Sequence, residues 1–155
     1  MSDSYDQAFE IKNMTLKSKL LEELTDCLLK QGCGFNRRFL AMTGPLTGSH
    51  LPTKIEKHLT TSYERPLNDA ISYLISAGGG SIGDFDREIY GEIYSFHMFI
   101  MPTDDGNVFV CFSVSQGIIS KINGSETDFN GLVKAVRADL KAKKYITKKR
   151  PSVNT

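Results

Sequence analysis

"REIYGEIYSFHMFIMPTDDGNVFVCFSVSQG", residues 87–117, decides the fold. Aromatic and β-branched residues crowd both sides of "TDDGN", where Asp105 and Gly106 are turn formers. The stretch predicts a long hairpin over about 88–116, and strands joined by so tight a turn are antiparallel. Successive side chains of a strand point to opposite faces. Along 88–101 this puts Tyr90, Tyr94, Phe96, Met98 and Ile100 on one face and Ile89, Ile93, His97, Phe99 and Met101 on the other. Both faces are apolar. Either helices embrace the sheet on both sides, or one face is left to a partner as a patch large enough to mark a binding site.

Helical periodicity flanks the hairpin. In "TLKSKLLEELTDCLLKQG", Leu16, Leu20, Leu24, Cys27 and Leu28 recur at steps of three and four, which predicts a helix over about 15–31, started by Asn13 or Thr15 and ended by Gly32. Pro66 opens a second helix, about 66–76, with Leu67, Ala70, Ile71 and Leu74 on one face. Phe129, Leu132, Val133, Val136 and Leu140 mark a third, about 126–144, capped by Ser125 or Thr127. Short strands are expected at 35–43 and at "IISKI", 118–122. The expected fold class is α+β: a small antiparallel sheet, made of the hairpin plus one or two short strands, packed against three helices. Residues 1–13 read as an N-terminal arm, 14–144 as a single domain and 145–155 as a basic tail.

At 155 residues with a formal charge of +1, 40% hydrophobic and 24% charged, the composition is that of a soluble globular chain without a global field to draw in nucleic acid or anionic lipid. No stretch approaches the roughly 20 apolar residues of a membrane span, and the acidic N-terminal residues do not resemble a secretory leader. Three cysteines, Cys27, Cys33 and Cys111, are an odd and sparse set, so free thiols in a reducing, cytoplasmic compartment are expected, with the nucleus a further possibility in a eukaryote.

The residues that carry chemistry elsewhere are scattered here. "SAGGGSIGDFDRE", 76–88, has the glycines of a phosphate loop, but they follow a helix and precede a strand, and the lysine is missing. Gly78 or Gly79 is read as the left-handed cap that ends the second helix. Asp84, Asp86 and Glu88 alternate, so an extended chain points all three to one side, where a hard cation could bind; a solvated edge is the simpler reading. "HLT" at 58–60 resembles the histidine, spacer and hydroxyl arrangement of two-histidine phosphoesterases, which use it twice. That resemblance implies acid–base and phosphate-gripping roles for His58, Thr60 and His97, although "HMF" at 97–99 has Phe99 where the second hydroxyl belongs. Otherwise His97 is a histidine packed in the sheet with one nitrogen satisfied by a neighbour. Ser-His-Asp constellations assemble from distant positions and leave no motif.

The end of the chain gathers Lys143, Lys144, Lys148, Lys149 and Arg150, able to neutralise phosphates with Tyr145 available to stack, or simply to solvate a helix end. Taken together, the residues point to a non-catalytic protein-binding module, such as an adaptor, chaperone-like or accessory subunit, needing no cofactor. Its partner would be another protein or a second copy of itself, with Tyr94, Phe96 and Phe99 as the contact residues. A nucleic-acid-associated protein using the tail and a phosphoesterase or nucleotide-processing enzyme are the alternatives.

Overall fold

The computed structural model describes residues 3–17, 19–35, 80–103 and 105–150. In chain order these form β1 (Ser4–Ile11), a 3-10 turn (Asn13–Thr15), α1 (Leu20–Lys30), β2 (Gly34–Phe35), β3 (Gly80–Ile89), β4 (Glu92–Pro102), β5 (Val108–Ser115), α2 (Gln116–Lys121), α3 (Ser125–Ala142) and β6 (Thr147–Arg150). The strands make one sheet in the order β2-β3-β4-β5-β1-β6, antiparallel at every pairing. The α+β class and the antiparallel sheet are as the sequence predicts. The expected helix at 66–76, the cap at Gly78 or Gly79 and nearly all of the expected strand at 35–43 lie outside the described residues.

The expected hairpin is two hairpins. Tyr90 and Gly91 take φ of 49° and 82°, and two successive positive values are what a two-residue type I′ turn requires. The chain therefore reverses at Tyr90, and 80–89 returns as β3 beside β4, with a register shift between Ser81 and Gly83. The second reversal, between β4 and β5, has the expected turn chemistry: Gly106 has φ 81°, and the Thr103 N–H donates to the Asn107 carbonyl at 2.9 Å. Asn107 also donates through Nδ2 to Glu10 Oε2 at 2.5 Å and accepts from the Asn13 N–H at 2.9 Å, which pins this turn to the end of β1.

Both ends of the described chain depart from the expectation. Residues 4–11 are no arm: they pair along their whole length with β5 and, from Ala8 to Ile11, with β6 on the other side. Sparse apolar residues suffice because only Tyr5, Gln7, Phe9 and Ile11 share the inner face, and Phe9 and Ile11 seal into the core. The basic tail begins with a buried Tyr145, whose hydroxyl donates to Glu23 Oε1 at 2.6 Å, and continues as strand β6. Ile118–Lys121 of "IISKI" belong to a helix, not a strand, and Ile122 is its C-cap. Ser115 caps α2 by accepting from the Gly117 N–H at 3.1 Å, and the helical turn brings Ile118, Ile119 and Ile122 against the core together.

One main core lies between the sheet's inner face and the helices. Phe96 is its aromatic centre, with ring centroids of Phe85, Phe129 and Phe112 at 5.7, 6.0 and 6.2 Å. Leu20, Leu21, Leu24 and Leu28 of α1 and Phe129, Leu132, Val136 and Leu140 of α3 close over it. Truncating Phe96 to alanine in such a setting costs about 3 to 5 kcal/mol. On the outer face Ala8, Phe109 and Cys111 form a second buried cluster, with Phe99 and Met101 half-buried beside it. Every side chain of that cluster comes from a strand.

Candidate functional site

Tyr94 and Phe96, expected to meet a partner, are 1% and 2% exposed on the core face and cannot do so. Their parity in β4 decides this: the face shared with Met98 and Ile100 is the one the helices cover. Phe99 lies on the outer face, half-buried at the rim of the second cluster. Among the described residues the aromatic that faces solvent is Tyr90, at 94% exposure, and Ile93 on the other arm of the same turn is 62% exposed. A bulky residue with positive φ is an outlier, because its Cβ crowds the following carbonyl at about 1 to 2 kcal/mol. Turns of this type ordinarily take Asn, Asp or Gly at that place.

The start of α3 lies beneath this tip. Tyr90 forms one wall of a cleft of about 470 Å³ whose other walls are Ile89, Gly124, Thr127 and Asp128. Gly124 is left-handed, with φ 86°, and its backbone lies beside the Tyr90 ring: a Cβ there would stand in ordinary contact with it, 3.7 Å from Cε2. Asp128 is fully engaged from below, accepting from Arg87 Nε at 3.0 Å, from Arg87 Nη2 at 3.2 Å and from the Tyr94 hydroxyl at 2.7 Å. This grip, after burial itself, is why the Tyr94 phenol is held well above its ordinary pKa.

Of the residues singled out for chemistry, the structure brings Asp84 and His97 together. Asp84, Asp86 and Glu88 do share the outer side of β3, but Asp84 Oδ1 is 2.6 Å from His97 Nδ1 and Asp86 Oδ1 accepts from the Ser95 hydroxyl at 2.7 Å. The cation site they might have formed is not assembled: among the described residues no three His, Cys, Asp or Glu side chains are grouped to hold a metal ion. His58 and Thr60 lie outside the described residues. His97 has the satisfied nitrogen expected of it, and Ser113 stands across from it on β5. Asp84, His97 and Ser113 thus occupy three adjacent strands in the order of a charge-relay row. Around this row β4 and β5 are each paired on both sides, so the ladder, among the described residues, takes up their backbone N–H groups.

The basic residues separate. Lys143 Nζ bonds Asp139 Oδ2 at 2.5 Å, and Lys144 sits exposed with φ 77° just after α3. On β6 the strand alternation sends Lys148 to the outer face opposite Glu10 and Lys149 to the inner side opposite Phe9. Arg150, paired with Ala8, closes the strand.

Comparison with protein-family models, with curated proteins and with solved structures finds no match. The site therefore rests on its own geometry. No helix among the described residues is long and apolar enough to cross a membrane. The signal for Tyr90 was present in the sequence as the dipeptide Tyr90-Gly91 between two runs of strand formers, but one aromatic among many reads as strand until the reversal is seen.

Proposed function

We propose that this protein is a non-catalytic binding module, an adaptor or accessory subunit, that engages another protein through the tip of the β3–β4 hairpin. One observation carries the reading: an almost fully exposed tyrosine is held in a strained left-handed turn, with an exposed isoleucine beside it. Neither side chain supports the core, and the strain is a cost the fold bears without return. A partner that buries the ring supplies the return, since a rigid aromatic contributes large contact area for little lost side-chain freedom. The Arg87–Asp128–Tyr94 grip keeps the tip in its bound geometry beforehand, which lowers the entropy cost of association.

A photo-crosslinking residue placed at position 90 or 93 in cells tests this. The expected result is a discrete adduct with one protein, or with a second copy of this chain, that is not formed from the comparably exposed Met14. Indiscriminate labelling from all three positions would remove the support for the reading.

A further inference from the structure

A second cleft, of about 270 Å³, opens where α3 meets β1 and β6. Asn130, Val133, Lys134 and Arg137 recur at the three and four residue steps of one helix face and form one wall; Gln7, Ala8 and Phe9 of β1 and Lys149 of β6 form the other. Three cations thus converge on a concavity that, among the described residues, no carboxylate lines.

The side chains at the rim are arranged rather than scattered. Arg137 Nε donates to Thr147 Oγ1 at 2.9 Å, which orients the guanidinium and leaves both terminal nitrogens without a protein acceptor among the described residues. Gln7 Nε2 donates to the Tyr5 hydroxyl at 3.1 Å, and that hydroxyl donates to Asn130 Oδ1 at 2.9 Å. With its oxygen committed, Asn130 has its amide N–H groups left for a ligand. A planar guanidinium, two ammonium groups and an amide donor around an apolar floor of Phe9 and Val133 suit a tetrahedral oxyanion carrying a compact body.

We propose that this cleft binds the phosphate of a small phosphomonoester, at a site separate from the hairpin tip. Its volume falls below that of a typical drug-sized pocket, which favours a ligand of sugar-phosphate size. A nucleic-acid backbone is a poorer fit. It needs cations strung along a track, whereas Lys148 leaves on the opposite side of β6 from Lys149 and Lys143 is held by Asp139.

The test is calorimetric titration of the full chain with ribose 5-phosphate, inorganic phosphate and unphosphorylated ribose, at low and at raised ionic strength. Saturable, salt-sensitive binding of the two phosphates and none of ribose is expected. Arg137→Gln is expected to weaken binding by about tenfold and Lys134→Gln and Lys149→Gln each by a few fold. Both lysines are exposed, so these two variants keep the test decisive if Arg137→Gln fails to fold. Thr147→Val keeps every charge and should still weaken binding by releasing the guanidinium. Absence of saturable phosphate binding, or undiminished binding by both lysine variants, would overturn the proposal. So would a short single-stranded RNA that binds more tightly than either phosphate and is lost in Lys149→Gln, which transfers the site to nucleic acid.

Discussion

Arg87 grips Asp128 through two nitrogens, Nε at 3.0 Å and Nη2 at 3.2 Å, and so ties β3 to the first turn of α3. Arg87 also donates from Nη1 to the Gln31 carbonyl at the end of α1, which makes one side chain the tie between three elements. Both partners are about one-fifth exposed, so the pair is shielded enough for its loss to be felt. Asp128→Ala is expected to cost about 2 to 3 kcal/mol in urea unfolding, because it strands a partly buried guanidinium and a buried tyrosine hydroxyl. A change within the error of the measurement would mean that solvent replaces the carboxylate at no cost.

Tyr90→Asn separates stability from binding. Asparagine tolerates the left-handed region, so the variant should be more stable than the parent by about 1 kcal/mol while losing partner capture. If stability falls instead, the tyrosine ring contributes to the fold over Gly124, and the strained-turn argument fails.

Stability should fall on the alkaline side. Burial raises the Cys33 thiol to about 11 and the Cys27 and Cys111 thiols to about 12, and it lifts the Tyr94 and Tyr145 phenols as well. In each case the folded state holds on to its proton longer than the unfolded chain does. The contribution of the thiols is therefore intact below pH 9.0, their unfolded value, and is lost progressively as pH rises toward the folded values. Thermal midpoints measured from pH 7 to 10.5 should be level up to about 9 and then decline. Consistent with the same burial, all three cysteines should resist a thiol reagent at pH 8 until denaturant is added. Rapid modification of any of them in the native protein would contradict its placement.

Removing residues 146–155 should lower the thermal midpoint by several degrees, since β6 pairs with β1 over Ala8–Ile11 and its loss turns an interior strand into an edge. Tyr145→Ala should cost about 3 kcal/mol by emptying a buried site, and Tyr145→Phe about 1 kcal/mol by losing the bond to Glu23. A truncated chain that melts with the parent would return these residues to the status of a solvated tail.

The elements that could be read from the sequence are those whose pattern is local and long. α3 runs from Ser125 to Ala142, close to the expected 126–144, because five apolar residues repeat on one helical face within 12 positions. α1 begins at Leu20 instead of near 15 because the chain first makes a 3-10 turn at Asn13–Thr15, closed by the Thr15 N–H on the Lys12 carbonyl at 3.0 Å. β5 is legible for the same local reason as α3, a run of strand formers from Val108 to Phe112 just after the turn.

Tertiary structure alone decided the rest. β1 and β6 are strands interrupted by charge, and each is stabilised by partners more than a hundred residues away, as in Ala8 opposite Cys111 and Lys149 opposite Phe9. The sequence determined that β4 has two apolar faces; only the packing of α1 and α3 determined that the face of Tyr94 and Phe96 is core. Both clefts draw on segments distant in the chain: Gln7 with Lys149, from its two ends, in one, and Tyr90 with Asp128 in the other. A pattern along the chain records which side chains share a face, because that follows from the backbone repeat. Which face meets another element depends on the burial of the whole sheet, a quantity no single segment carries.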